Sequence, residues 1–203
     1  MTDYTLEKRY EIFIKMLNNE LTKMFVSQAE FIKCKEGCSY CCEQGEYPFS
    51  ELEFNYLLEG YKKLPQNVKL NILENIAKIN EEYANSKEKP FMHKCPFLIN
   101  KRCSVYENRG IICRTFGLLC EHNDERLTMP FCHEMGLNYS NVYDAKTKQI
   151  SEEKAALCNT EPKAFRISRD NIMNLSMAQN LNIEWGESKT MLDLINESNI
   201  AEL

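Results

Sequence analysis

Apolar side chains recur every three or four positions along the first part of the chain. This repeat places them on one face of a helix, with the charged positions between them on the other face. It predicts a long amphipathic helix that leads into the first cysteine, Cys34. The apolar positions of this face are Leu6, Tyr10, Phe13, Ile14, Leu17, Leu21, Met24 and Phe25.

Two further helices are predicted between Ser50 and the polar loop 85–90. The segment Ser50-Glu-Leu-Glu53 has the pattern of a capping box, in which Ser50 accepts from a backbone N–H and Glu53 reaches back. The helix that starts there runs to Tyr61. Pro65 suits the first residue of the next helix, where its missing N–H is not needed. The predicted apolar face of that helix is formed by Val68, Ile72, Ile76, Ile79 and Tyr83.

Regular patterning disappears between residues 91 and 135, where Cys, Gly, Pro and charges split the apolar pieces. Only 104–109 and 111–119 are long enough there for a turn or two of helix. Ser168 then predicts the start of another helix, carrying Ile172, Leu175, Ala178 and Leu181, and 187–196 predicts a last one. Because no β-rich block is visible, the predicted fold class is mainly α, with helices packed around an irregular cysteine-rich metal-binding centre.

The change from regular helical patterning to an irregular cysteine-rich segment, and back, predicts the domain organisation. A chain of 203 residues is long enough for one domain with an appended extension. We expect an N-terminal amphipathic helix over 1–33, a cysteine-cluster domain with inserted helices over 34–136, and a C-terminal helical extension over 137–203. The extension is expected to pack on the same domain.

Charge and hydropathy exclude several classes of partner. The net charge of −5 and the dispersed basic residues argue against binding a nucleic-acid backbone. No segment is apolar enough for a membrane span, and the first residues lack the apolar stretch of a signal peptide. We therefore expect a cytoplasmic protein, in which thiols stay reduced and a disulfide framework is disfavoured. A protein partner is compatible with the sequence, which does not identify one.

Cysteines supply the candidate chemistry. Four of the ten fall between Cys34 and Cys42, and five more follow between Cys95 and Cys132. Thiolates are soft, strong ligands for zinc and for iron–sulfur clusters. One tetrahedral zinc or one [4Fe–4S] cluster needs about four of them, so this region has enough for two sites or one shared site.

The spacing of the first group adds detail. Cys38-x2-Cys41 suits two thiolates that converge on one ion, and Gly37 gives the turn before it backbone freedom. Neighbouring side chains usually point apart, so Cys41 and Cys42 are predicted to serve different metal centres or different irons of one cluster. Each histidine of the chain could replace a thiolate, although a surface or hydrogen-bonded structural role is the simpler interpretation. These are His93, His122 and His133.

An ordered series of motifs resembles the CxxCxxCC cysteine-cluster family (YkgJ type), a zinc- or iron-chelating domain. The motifs are Cys34-x3-Cys38-x2-Cys41-Cys42, Cys95-Pro-Phe-Leu98, Cys103-Ser-Val-Tyr-Glu-Asn-Arg109, Cys113-Arg114-Thr-Phe116 and a late Cys132. Two departures stand out: the family commonly has two residues in the first gap, and it has Pro where this chain has Gly110. The resemblance covers about Cys34 to Gly136.

The resemblance implies a set of site residues. Arg109 and Arg114 also match family positions, and they could donate N–H bonds to thiolates or sulfides, or form structural ion pairs. Cys120 and Cys158 fall outside the pattern and are expected to be buried thiols that bind no metal. The implied metal ligands are Cys34, Cys38, Cys41, Cys42, Cys95, Cys103, Cys113 and Cys132.

Three functions compete at this point. The first is a cytoplasmic metal-binding protein, and its thiol-only ligand set and cysteine doublet slightly favour an iron–sulfur cluster over zinc. The second is a metal-dependent protein-modifying enzyme, because the chain also looks distantly similar to flagellin lysine N-methylase. Only seven glycines are present, and no Gly-rich turn for a methyl-donor nucleotide is visible among them. The third is a zinc-structured module that docks a partner protein.

Overall fold

The computed structural model describes residues 4–203; the first three residues of the predicted N-terminal segment lie outside this range. The chain is mainly α, as predicted, and within these residues no helix is long and apolar enough to cross a membrane. In chain order, the α-helices of this range are α1 (Leu6–Ser27), α2 (Tyr40–Glu43), α3 (Glu51–Lys62), α4 (Gln66–Asn85), α5 (Ile111–Thr115), α6 (Glu152–Ala155), α7 (Arg169–Met173), α8 (Ser176–Asn180) and α9 (Met191–Glu197).

The described residues also contain three short 3₁₀ helices, Tyr106–Asn108, Phe131–Met135 and Ile200–Glu202. Short antiparallel ribbons are present as well, which the sequence pattern did not predict. The pairs are β1 with β8, β2 with β3, β4 with β5, and β6 with β7. Most of these strands have only two residues, too few for an alternating pattern to be visible in the sequence. The strands are β1 (Pro48–Ser50), β2 (Leu98–Ile99), β3 (Arg102–Cys103), β4 (Cys120–Glu121), β5 (Leu127–Thr128), β6 (Tyr143–Asp144), β7 (Gln149–Ile150) and β8 (Ser188–Thr190).

The chain divides into two compact units, each built from segments that are distant in sequence. The first unit contains Met1–Glu36 and Ile111–Ile183, and the second contains Gly37–Gly110 and Glu184–Leu203. Two of the three boundaries, at 36/37 and 110/111, fall inside the cysteine-rich region, so each unit carries part of the candidate ligand set.

In the first unit, α1 confirms the predicted amphipathic helix. Its N-cap is Thr5, whose side chain accepts from the Lys8 N–H, and its apolar face is buried as the periodicity requires. Further along the chain, a separate core cluster forms around the stacked rings of Phe31 and Tyr139, whose centroids are 5.4 Å apart. The buried members of that cluster are Phe31, Leu119, Tyr139 and Val142.

In the second unit, both sides of the predicted capping box are present at the start of α3. Ser50 Oγ accepts from the Glu53 N–H at 3.2 Å, and the Ser50 N–H donates to Glu53 Oε2 at 2.9 Å. Pro65 precedes α4 as its N-cap instead of being its first residue, a shift of one position. A small core cluster joins Ile79, Phe91 and Leu192.

The predicted C-terminal helices are shorter than expected. Ser168 caps α7 through a bond from the Asn171 N–H, as predicted. The helix then stops because Leu175 adopts extended backbone with ψ 145, and the chain resumes as α8. In the second unit, the segment predicted as the last helix begins instead as β8, because its first residues pair with β1.

Candidate metal centre

The two units divide the eight predicted ligands unequally. None of the ten cysteines forms a disulfide in this structure. The second unit carries Cys38, Cys41, Cys42, Cys95 and Cys103, and the first unit carries Cys34, Cys113 and Cys132. The second unit alone therefore holds enough thiols for one tetrahedral site.

A tight turn presents the cysteine doublet of the second unit. Gly37 has a φ of +87°, a left-handed conformation that glycine adopts without strain, as the sequence predicted. Ser39 then caps α2, where its carbonyl oxygen accepts from the Cys42 N–H at 2.8 Å. The Tyr47 hydroxyl donates to the carbonyl oxygen of Cys41 and fixes the other side of the short helix.

The side chains of Cys41 and Cys42 bring their two sulfur atoms close together. Their sulfur atoms lie 3.9 Å apart, so the prediction that these neighbours point apart is wrong. Both residues lie on one turn of α2, and successive helical residues differ by about 100° around the axis, against about 180° in a strand. The doublet can therefore present two sulfurs to one metal atom.

The surroundings of Cys42 favour the thiolate form of its side chain. The pKa of the Cys42 thiol is lowered to about 7, mainly because the Cys41 thiol donates a hydrogen bond to its sulfur. Burial opposes this shift, the positive charge of Arg109 adds to it, and the negative charge of Glu43 opposes it. A lowered pKa favours the form of cysteine that binds metal.

Backbone pairing brings two more cysteine-bearing segments of the second unit together. The Cys95 N–H donates to the carbonyl oxygen of Cys42 at 2.7 Å, and the Leu98 N–H donates to the carbonyl oxygen of Cys95 at 3.1 Å. Leu98 is then the register partner of Cys103 in the β2–β3 ribbon. The backbones at Cys42, Cys95 and Cys103 are thus linked through a short chain of contacts.

The two predicted arginines occupy different surroundings. Arg109, in the second unit, stacks on the Tyr106 ring at 3.6 Å and donates to the carbonyl oxygen of Tyr106 at 2.6 Å. Arg114, on α5 of the first unit, is 4% exposed and donates to Asn18 Oδ1 at 3.0 Å. The charge of Arg109 acts on Cys42, as noted above. A direct bond from either guanidinium to a thiolate or sulfide stays a prediction.

Sequence reasoning missed Asn138 of the first unit, a buried side chain that is 1% exposed. Its Oδ1 accepts from the backbone N–H groups of Lys33 at 2.9 Å and Cys34 at 3.0 Å. Its Nδ2 donates to the carbonyl oxygen of Gly117 at 2.9 Å. No local sequence signal marks this residue, because all three of its partners lie far from it along the chain.

Cys132 of the first unit is buried, at 2% exposure. It lies in the 3₁₀ helix Phe131–Met135, which ends at Gly136 in a left-handed conformation with φ +72°. The Leu137 N–H donates back to the carbonyl oxygen of Cys132 at 3.2 Å, directly before Asn138. The backbone of Cys132 is therefore closely connected to the residue that bonds to Cys34.

The three histidines have the structural contacts that the simpler interpretation requires. His93 Nδ1 lies 2.9 Å from the carbonyl oxygen of Lys94, and His122 Nε2 lies 2.9 Å from Thr128 Oγ1. His133 Nδ1 lies 3.0 Å from the carbonyl oxygen of Pro130. In the part of the chain that the structure describes, the buried His133 Nε2 makes no hydrogen bond.

The two cysteines outside the family pattern are less buried than predicted. Cys120 and Cys158 are both half-buried. Cys120 contacts the carbonyl oxygen of Glu121 at 3.8 Å, and burial raises the pKa of its thiol. Cys158 contacts the carbonyl oxygen of Lys154 at 3.6 Å. A raised pKa disfavours metal binding by Cys120, which agrees with its place outside the pattern.

The donor chemistry fits zinc or an iron–sulfur cluster. Two thiolates bound at about 2.3 Å to one tetrahedral zinc lie about 3.8 Å from each other, close to the separation found in the doublet. Within residues 4–203, no three His, Cys, Asp or Glu side chains are grouped closely enough to hold an ion as they stand.

Comparison with known proteins gives one clear result. A family model described as "CxxCxxCC: Putative zinc- or iron-chelating domain" matches residues 33–175, a span that covers most of the chain and all eight predicted ligands. No curated protein and no solved structure matches the chain, so the similarity to flagellin lysine N-methylase stays a prediction. The chain belongs to the CxxCxxCC family of zinc- or iron-chelating domains.

Proposed function

We propose that this chain is a cytoplasmic metal-binding protein that holds zinc or an iron–sulfur cluster through cysteine thiolates. The observation that carries this proposal is the doublet of the second unit, in which two sulfur atoms lie 3.9 Å apart on α2. A reducing compartment keeps such thiols available as ligands. The proposed ligands are Cys34, Cys38, Cys41, Cys42, Cys95, Cys103, Cys113 and Cys132.

The geometry of the doublet supports a metal group in which both sulfurs bind one metal atom. A separation of 3.9 Å suits two sulfurs on the same metal atom, as in a zinc site or a [2Fe–2S] cluster. In a [4Fe–4S] cluster each iron takes one cysteine, which would require the two sulfurs to separate. The doublet therefore favours zinc or [2Fe–2S] over [4Fe–4S].

The residues of the second unit have distinct tasks in this proposal. Cys41 and Cys42 provide the first two thiolates for the metal. The Cys95 segment is joined to Cys42 by a backbone hydrogen bond. Arg109 offsets part of the negative charge that several thiolates bring together. Bound zinc would stabilise the fold, whereas a bound iron–sulfur cluster would also provide a site for electron transfer.

The proposal is tested on the full-length chain purified without oxygen. Iron, zinc and acid-labile sulfide are measured per chain, together with the visible absorption spectrum. Iron matched by sulfide, with a broad absorption band that reduction bleaches, identifies an iron–sulfur cluster, and colourless protein with bound zinc identifies a zinc site. Protein that contains neither metal, and that takes up neither after reconstitution under reducing conditions, would overturn the proposal.

A further inference from the structure

We infer that Asn138 is a positioning residue that holds the Cys34 segment in the geometry needed for metal ligation. This inference rests on the proposed function, because it concerns how one of the proposed ligands is presented. It assigns no catalytic role to Asn138, which acts on Cys34 through the backbone.

The hydrogen bonds of Asn138 carry the argument. Both the Lys33 and the Cys34 N–H groups, at 2.9 and 3.0 Å, donate to the single atom Oδ1. A side-chain oxygen that accepts from two successive backbone N–H groups fixes the backbone at both residues. The Cys34 thiol is exposed, so these bonds fix the direction in which the chain offers it without covering it.

The same amide ties this segment to two others in the first unit. Nδ2 donates to the carbonyl oxygen of Gly117, two residues beyond the end of α5, which carries Cys113. Asn138 itself follows directly after Leu137, whose N–H bonds to Cys132. The side chain of Asn138 therefore connects the Cys34 segment with the segment that follows Cys113, and the backbone next to Asn138 is bonded to Cys132.

Two neighbouring features show that the position of Asn138 is closely defined. Gly117 has a φ of +108°, and a Cβ atom there would lie 2.8 Å from Asn138 Nδ2, so the close approach requires glycine. Tyr139 has a φ of +60°, which is uncommon for a residue other than glycine and persists only where packing over-determines it. The surroundings thus hold Asn138 in place at a local conformational cost.

A second buried amide of the same unit provides a matched control. Gln28 is fully buried, accepts from the Lys163 N–H at 2.8 Å and donates to the carbonyl oxygen of Glu161 at 3.3 Å. It joins backbone segments as Asn138 does, but none of its hydrogen-bond partners is a proposed ligand. Gln28 Oε1 also accepts a long contact of 3.5 Å from the Tyr139 hydroxyl. Replacing Gln28 therefore disturbs a neighbour of Asn138 and a comparable network, while it leaves the bonds from Lys33 and Cys34 to Asn138 in place.

The experiment compares Asn138→Ala and Asn138→Asp with Gln28→Ala and Gln28→Glu in the full-length protein. Hydrogen exchange is measured at the Lys33 and Cys34 amides of the metal-free protein. Zn²⁺ affinity is measured by competition with a chromophoric chelator under reducing conditions. Urea unfolding of each variant gives the stability against which the affinities are compared.

We expect Asn138→Ala to accelerate exchange at Cys34 and to weaken Zn²⁺ binding by about 10- to 100-fold, the usual effect of losing a group that orients a ligand. Asn138→Asp keeps the acceptor oxygen, so we expect a smaller loss. Gln28 variants of equal stability should stay within about twofold of the wild type. If Asn138 only stabilised the fold, its variants would not lose more Zn²⁺ affinity than Gln28 variants of equal stability.

Equal Zn²⁺ affinities in Asn138 and Gln28 variants of equal stability would overturn the inference while leaving the proposed function intact. A wild-type chain that binds no metal would overturn both. If Asn138→Ala does not fold, Asn138→Asp and Gly117→Ala carry the same comparison, because the second displaces the amide by a Cβ contact.

Discussion

The backbone N–H of Cys95 donates to the carbonyl oxygen of Cys42 across 2.7 Å, although α3 and α4 separate the two residues in the sequence. This bond makes a single neighbourhood of the cysteine doublet and the Cys95-Pro-Phe-Leu segment. Further thiols of the second unit can therefore join Cys41 and Cys42 at this position.

Replacing Cys41 or Cys42 by Ser should lower the metal content of the purified protein and weaken Zn²⁺ affinity by roughly tenfold or more. Cys158→Ser should change neither, because Cys158 lies outside the family pattern. If both members of the doublet ligate one metal atom, the double variant should lose less affinity than the sum of the two single losses. Metal analysis and chelator competition measure both effects. Loss of metal in Cys158→Ser would contradict the ligand set.

Ser50→Ala should destabilise the protein by about 1–3 kcal/mol, because it removes the cap of α3 and a donor to a buried carboxylate. Ser50 and Glu53 are both fully buried, and Ser50 Oγ lies 3.0 Å from Glu53 Oε2. Ser151→Ala removes a comparable cap from α6, where the bond from the Lys154 N–H is exposed to solvent. Urea unfolding should show a clearly smaller loss for Ser151→Ala, and equal losses would refute the role given to burial.

Gly110→Ala should destabilise the protein by about 1–3 kcal/mol through overpacking. A Cβ atom at Gly110 would lie 2.6 Å from Cε1 of Phe49, whose ring is buried. The buried ring therefore favours a residue without a Cβ atom at this position. Phe49→Leu should recover part of the loss in a double-mutant cycle. Strictly additive losses would show that the ring is not the obstacle.

Tyr139 should make stability depend on pH in the alkaline range. Burial raises the pKa of its hydroxyl from 10.0 to about 12, so folding favours the neutral form. This contribution is complete below about pH 10 and is lost as the pH rises toward 12.

Tyr139→Phe removes this contribution and tests it. The variant should unfold with a shallower pH dependence than the wild type above about pH 10, as measured by urea unfolding. At neutral pH it should cost about 1–2 kcal/mol, because the hydroxyl also has a backbone hydrogen bond with Leu119 beside its 3.5 Å contact with Gln28 Oε1. Identical pH dependence in the two proteins would contradict the assignment.

Local patterns explain which parts of the fold could be predicted. The helix α1 follows from an apolar repeat within its own sequence, and the capping box follows from Ser50 and Glu53 alone. The two-residue ribbons have no such pattern, since their stability depends on pairing. The directions of the Cys41 and Cys42 side chains depend on the single helical turn of α2. Because the sequence does not predict this turn, it does not determine whether the two side chains point the same way.

The candidate site shows the same limit. Cysteine spacing and family resemblance predict which thiols are candidate ligands, because metal ligands must be chemically specific. Asn138 was missed because its task is geometric: its bonds to Cys34 and Gly117 depend on where the chain folds back. An asparagine with distant partners is indistinguishable in sequence from one that faces solvent.

The bond between Cys42 and Cys95 also has a consequence for how the chain assembles. It closes a long loop, and the entropy of loop closure has to be overcome before the contact stabilises anything. The helices α3 and α4 depend on local contacts and can form earlier. We therefore expect the thiols of the second unit to meet late in folding. The length of the helical insert should matter little, since each doubling of a loop costs only about 0.6 kcal/mol.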